Sequence, residues 1–96
     1  MIEKNIDVNN VTFKAVQLEL GGKGNLLIIT GPKGYIMCGY LNINTAQKMG
    51  DAACVVTGVK TIEDVLSSKI VALTSHAQML GIEMGMHVSD VLKKLS

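Results

Sequence analysis

The sequence predicts an α/β chain (α+β mixed) on a single mixed sheet, with an N-terminal β-meander followed by βαβαβ and two C-terminal helices. Three observations predict it. The first forty residues are apolar or alternating runs separated by Gly- and Asn-rich turns, the pattern of strands joined as hairpins. From about residue 45 short helical patterns alternate with short apolar runs, as βαβ units do. The chain then closes on two helical stretches, and no internal repeat, linker or low-complexity segment interrupts it.

Ile2, Ile6 and Val8 form a first strand that leads into Val11, Phe13 and Ala15, and then into Val16, Leu18 and Leu20. The turn between them is expected at Asn9-Asn10, because Asn tolerates the left-handed backbone that a tight hairpin needs. The alternation changes phase between Ala15 and Val16, which predicts a β-bulge. Gly21 to Gly24 is a turn, and Asn25 to Thr30 is apolar on both faces, the mark of a central strand covered on two sides. Gly31-Pro32-Lys33-Gly34 is a further turn, so Tyr35 to Tyr40 is expected to pair with that strand as a hairpin.

Thr45 to Met49 is a short helix, Ala52 to Thr57 a buried strand, Thr61 to Ser67 a helix and Lys69 to Thr74 a strand. Thr61 and Asp64 have capping-box spacing, in which the hydroxyl accepts from the third helical N–H and the acid reaches back. Ser75 to Leu80 is a helix stopped by Gly81. Val88 to Leu95 closes the chain with Lys93 and Lys94 in its last turn, where the helix dipole favours cations.

Ninety-six residues and 10.2 kDa leave room for one domain, residues 1–96, and exclude a two-domain enzyme. Apolar residues are 48% and charged residues 18%, which fits a packed core rather than disorder. Nine Lys, no Arg and eight acidic residues give +1, too little field to steer a polyanion. Arg is the side chain that grips phosphates and guanine edges bidentately, and only Phe13, Tyr35 and Tyr40 are available to stack on bases, so no nucleic-acid partner is expected. Two cysteines make no disulfide framework, polar residues interrupt the N-terminus where a signal peptide needs an apolar stretch, and no run approaches the roughly 20 residues of a membrane span. A soluble cytoplasmic protein with reduced, buried thiols is expected, with no membrane partner.

The strings GYIMCG (Gly34 to Gly39), GVKTIEDVL (Gly58 to Leu66) and LGIEMGM (Leu80 to Met86), in this order and spacing, resemble the YunC-like family, domain of unknown function 1805. The resemblance spans nearly the whole chain, with GYIMCG its most specific part. It implies a single α/β domain and brings no reaction, cofactor or catalytic residue with it.

In open α/β sheets ligands gather beyond the carboxyl ends of parallel strands. Taking the strands that end near Tyr40, Thr57 and Thr74 as parallel neighbours, one edge collects Asn42, Asn44, Thr45, Lys60, Thr61 and Ser75 as ligand-binding candidates for a small metabolite or anion. The plainer reading is that these residues cap helices. Gly58-Val59-Lys60-Thr61 fails as a phosphate-binding loop, because Val59 and Cys54 occupy two required glycine positions.

Cys38 and His76 are the candidate reactive groups. Cys38 sits beside Gly39 but shares its strand face with Ile36 and Tyr40, apolar company that suppresses a thiol's reactivity. Cys38, Cys54, His76 and His87 lack the close pairs of a metal knuckle, so neither metal nor cofactor is expected. Asp51, Glu63, Asp64, Glu83 and Asp90 do not converge as paired catalytic carboxylates. Met79, Met84 and Met86, with Leu80 and Ile82, read as core filling or as a self-association surface. The apolar share of so short a chain favours a homo-oligomer, a dimer or larger. The leading expectation is a self-associating, non-enzymatic module with a small-molecule site; the alternatives are a small enzyme using Cys38 or His76 and a structural subunit of a larger complex.

Overall fold

The computed structural model describes residues 1–22 and 24–96. Among these residues six strands lie in one sheet in chain order: β1 (Ile2–Val8), β2 (Val11–Glu19), β3 (Asn25–Thr30), β4 (Tyr35–Cys38), β5 (Ala53–Val56) and β6 (Ala72–Leu73). Four helices accompany them among the described residues, α1 (Ile43–Met49), α2 (Ile62–Leu66), α3 (Ser75–Met79) and α4 (Val88–Leu95). The mixed sheet, the leading meander and the two closing helices agree with the fold class expected from the sequence.

Asn9 and Asn10 turn the first hairpin with φ of 52° and 65°, as the left-handed requirement of a two-residue hairpin demands. β2 pairs in unbroken register with both β1 and β3, from Ile2 opposite Gln17 to Lys14 opposite Thr30, so the expected bulge is absent. The phase change has another cause. Phe13 and Ala15 point into the main core, whereas Val16 and Leu18 lie on the opposite face, because both faces of this strand are apolar.

The main core lies on one face of the sheet. There Phe13, Ala15, Leu27, Ile29, Ile36, Cys38, Cys54 and Val56 meet Ile62 and Val65 of α2 and Val88, Val91, Leu92 and Leu95 of α4. The α4 residues recur at helical spacing, so one stripe is buried while Lys93 and Lys94 stay in water. A smaller cluster on the other face places Ala46 of α1 against Met37, Ala53 and Val55.

The direction of β6 departs from expectation. β4 and β5 run parallel, joined over α1, but β6 runs antiparallel to β5, with Cys54 opposite Leu73. β6 is also short. Ile70 N–H donates to the Met86 carbonyl and Gly85 N–H to the Ile70 carbonyl, so the backbone ahead of the strand is spent on the 83–87 loop rather than the sheet. Thr74 therefore returns to the end where β5 begins. Its buried hydroxyl accepts from Ala53 N–H (3.1 Å) and Ala77 N–H (3.3 Å) and donates to the Asp51 carbonyl (2.7 Å), tying β5, β6 and α3 together.

Candidate functional site

The carboxyl ends of β4 and β5 stand side by side, and the amino end of the antiparallel β3 lies next to them. They enclose a cavity of about 290 Å³ lined by Asn25, Cys38, Gly39, Tyr40, Thr57, Gly58 and Val59. This is the crevice expected where a parallel pair ends and its connections diverge.

Each wall has a local cause. Cys38 closes β4, and its side chain returns toward the main core, where Sγ accepts from Leu27 N–H (3.3 Å) and lies 3.9 Å from the Asn25 carbonyl oxygen. Gly39 leaves the mouth open: a Cβ there would meet only Thr57 Cγ2, at 3.6 Å. Tyr40 is exposed, and its phenol lies over Gly24, where any Cβ would strike the ring. Gly58 takes φ of 71°, a left-handed turn that lets the chain leave β5 toward α2. Asn25 Nδ2 donates to the Lys60 carbonyl (2.7 Å) and fixes the β5–α2 loop against β3.

The N-terminus of α2 is already satisfied by protein. Thr61 Oγ1 accepts from Asp64 N–H, the Asp64 carboxylate accepts from Lys60 N–H (3.0 Å) and Thr61 N–H (3.2 Å), and Gln17 Oε1 accepts from Ile62 N–H (3.2 Å). The Lys60 amide, with that of Thr61 and the Thr61 hydroxyl, holds the Asp64 carboxyl below its usual range. A carboxylate sits where an anion would bind, so Lys60 and Thr61 shape the loop beside the cavity while their amides serve the helix cap.

The other candidates fall elsewhere. Asn42 caps α1 by accepting from Asn44 N–H (2.8 Å) and Thr45 N–H (3.4 Å), while Asn42 and Thr45 line a second cavity of about 290 Å³ on the α1 face. Asn44 is exposed beside them. In that cavity Tyr35 Oη donates to Asp51 Oδ2 (2.8 Å); burial first, then the Asp51 carboxylate, pushes the phenol up to about 12. Ser75 and His76 stand at the opposite edge of the sheet, a consequence of the antiparallel β6. Ser75 is bonded to Gln47 through both its amide and its hydroxyl, and His76 lies against Gly50 at the end of α1. The six candidates thus occupy three places rather than one edge, and Cys38 and His76 share no cavity.

Cys54 is fully buried in the main core, and that burial pushes its thiol up to about 12. His87 caps α4 through Nδ1, which accepts from Ser89 N–H (3.1 Å). Among the described residues no three His, Cys, Asp or Glu side chains stand close enough to hold a metal ion. Met86 packs against the core, whereas Met79 and Met84 are exposed. No described helix is long and apolar enough to cross a membrane.

Sequence reading named Cys38 and the loop after Thr57 but missed Asn25 and Tyr40 as cavity walls. Asn25 carries a signal, a polar residue heading an otherwise apolar strand. Tyr40 carries none, because its position depends on the register that brings β3 beside β4.

The model of the family described as domain of unknown function (DUF1805) matches residues 37–95. The chain is 32% identical over 94 residues to the uncharacterized protein YunC of Bacillus subtilis (strain 168), covering 94% of this chain and 92% of that protein. It is also similar to the crystal structure of a protein of unknown function, TA1206, from Thermoplasma acidophilum, with a TM-score of 0.93 and 41% identity over 99% of this chain and 92% of that one. The family match begins at Met37, so it takes in both carboxyl strand ends that wall the cavity, and the chain belongs to the DUF1805 family.

Proposed function

We propose that this chain is a binding module for a small neutral molecule, held in the cavity between the ends of β4 and β5, and that it works as an assembly of its own copies in the cytoplasm. The cavity at the carboxyl ends of the parallel pair carries this reading. Its volume of about 290 Å³ suits a compact metabolite rather than a nucleotide or polymer. Its lining offers one carboxamide, two hydroxyls, a thiol and the open backbone of two glycines, with no cationic or anionic side chain among the described residues. Such a site favours neutral polar groups and disfavours the anion that a free helix terminus would have attracted.

Binding is favoured over catalysis by the surroundings of Cys38, whose sulfur touches backbone groups of β3 rather than a base or a cation. Two free buried cysteines accord with a reducing compartment. Self-association is supported by the apolar face of β2 and β3, where Val16, Leu18 and Ile28 stand only partly covered.

Thermal-shift screening of the purified protein against neutral metabolites, followed by calorimetry on each hit, tests the site. Gly39→Leu has room at its Cβ and projects bulk into the cavity mouth, so it is expected to retain the fold and weaken binding at least tenfold. Binding that is unaffected by Gly39→Leu places the ligand elsewhere. Turnover of a hit that disappears in Cys38→Ser would replace the binding reading with the enzymatic one.

A further inference from the structure

The ladder between β4 and β5 stops one rung short at the mouth of the first cavity. Tyr35 N–H donates to the Ala52 carbonyl (3.0 Å), and successive residues of a strand turn their backbone groups to alternate sides, so Tyr35, Met37 and then Gly39 face β5. On β5 the Ala53 and Val55 carbonyls face the β6 side, where they accept from Thr74 N–H (3.0 Å) and Val71 N–H (2.8 Å). Cys54 and Val56 therefore turn toward β4, and Gly58 is next in that series. The next rung would join Gly58 N–H to the Gly39 carbonyl. It is not made: pairing ends at Cys38 opposite Val56, Gly58 takes φ of 71°, and neither group bonds to backbone elsewhere among the described residues.

The other flank of β4 ends differently. Pairing with β3 stops at Ile28 opposite Met37, and the next amide, Leu27 N–H, donates to Cys38 Sγ (3.3 Å) while the Cys38 carbonyl accepts from Leu41 N–H (3.2 Å). The protein closes that flank with its own groups. Farther along the β5–α2 loop, the Asp64 carboxylate takes Lys60 N–H and Thr61 N–H. The open rung thus lies between two stretches that the chain satisfies itself. Space is kept there as well: a Cβ on Gly39 would meet only Thr57 Cγ2, at 3.6 Å, and one on Gly58 would meet nothing within 4 Å.

From this arrangement, and resting on the neutral-molecule site proposed above, we infer that the ligand is a carboxamide or lactam whose own amide edge completes the open rung, its N–H donating to the Gly39 carbonyl and its C=O accepting from Gly58 N–H. One protein acceptor and one protein donor select this class. A carboxylate has no donor for the Gly39 carbonyl and would set like partial charges together, whereas an ammonium group has no acceptor for Gly58 N–H. A hydroxyl offers both roles from a single atom, and an amide offers them from two neighbouring atoms, the pattern that a strand presents when it extends a sheet. The rest of a compact amide then lies in the 290 Å³ cavity, against Cys38, Tyr40 and Val59.

Nuclear magnetic resonance titration of the labelled full chain with three neutral probes of one ring size tests the class: 2-piperidinone, which has both amide groups, N-methyl-2-piperidinone, which has only the carbonyl, and cyclohexanol. The expected result is that 2-piperidinone moves the Gly58 amide proton and the Gly39 carbonyl carbon downfield and binds at least about fivefold tighter than either other probe, because each of those leaves a rung group unpaired. Gly39→Leu, with its fold checked by the dispersion of its own spectrum, is expected to abolish these shifts. Equal affinity for the three probes, or a preference for 2-piperidinone that leaves Gly58 and Gly39 unmoved, overturns the amide rung; if Gly39→Leu still abolishes that binding, the neutral-molecule site stands. Shifts that bypass the cavity residues, or no shift from any probe at tens of millimolar, overturn the rung and the site together.

Discussion

Gly34→Ala is expected to be among the most damaging single-methyl additions in the chain. A Cβ built on Gly34 overlaps the Ala52 carbonyl oxygen and lies 2.9 Å from Ala52 Cβ and 3.0 Å from its carbonyl carbon. That oxygen accepts Tyr35 N–H at 3.0 Å, the bond that opens the β4–β5 pairing. The methyl group meets backbone on a short connection, so relief requires the strands to part. Overpacking in a close-packed site costs about 1–3 kcal/mol, and loss of the hydrogen bond adds roughly 0.5–1.5 kcal/mol. About 2–4 kcal/mol in a chain of this size lowers Tm by roughly 10–25 °C. Two controls separate space from backbone preference. Gly22→Ala has nothing within 4 Å and should lie within about 0.5 kcal/mol of the parent, while Gly21→Ala, equally open but at φ of 74°, should cost about 1–2 kcal/mol. Urea unfolding followed by far-UV circular dichroism measures all three. Gly34→Ala within 0.5 kcal/mol of Gly22→Ala would refute the reasoning and detach the first glycine of GYIMCG from strand packing.

Thr74→Val removes a hydroxyl that serves two buried amides and a carbonyl, and is expected to lose about 1–3 kcal/mol in denaturant titration, with Thr74→Ser close to the parent. Loss of the cap in Thr61→Ala should lower stability by about 0.5–2 kcal/mol. The lowered Asp64 pKa means its contribution is present above the usual value of 3.8 and lost as pH falls below it, so Asp64→Asn should flatten the acid limb of a stability–pH profile. The Cys54 thiol ionises near 9.0 when unfolded and near 12 when folded, so its contribution is complete below pH 9 and declines as pH rises toward 12. Cys54→Ala should show a shallower decline over that window, by up to about 1.4 kcal/mol per pH unit; an identical slope would contradict the assignment.

Local chemistry was legible in the sequence wherever neighbouring residues decide it. Asn9-Asn10 turns the hairpin because both residues accept positive φ, and the Thr61–Asp64 box forms because its partners are three residues apart. α1 starts at Ile43, two residues earlier than helical patterning suggests, because Asn42 rather than Asn44 caps it. The direction of β6 was hidden, since Lys69 to Thr74 has the same apolar pattern whichever way it runs. That choice is made by long-range bonds from Ile70 and Thr74, and it alone removes Ser75 and His76 from the edge that holds Cys38. The supposed bulge failed for a related reason: alternation reports which face is apolar, and a strand with two apolar faces imitates a slip in register.

The chain-order sheet has a kinetic consequence. β1 to β4 pair across connections of two, five and four residues (residues 9–10, 20–24 and 31–34), but β5 joins only after the fourteen residues from Gly39 to Ala52. Lengthening a closure from four to fourteen residues is nearly two doublings, or about 1.1 kcal/mol of added chain entropy at roughly 0.6 kcal/mol per doubling. The hairpins are therefore the inexpensive steps, and the crossover that sets β5 beside β4 is a costly one, as is the fifteen-residue connection (57–71) that follows it to β6. Both walls of the cavity meet only at that crossover, so a ligand seated there holds together a pairing that costs more chain entropy than any of the three hairpins before it.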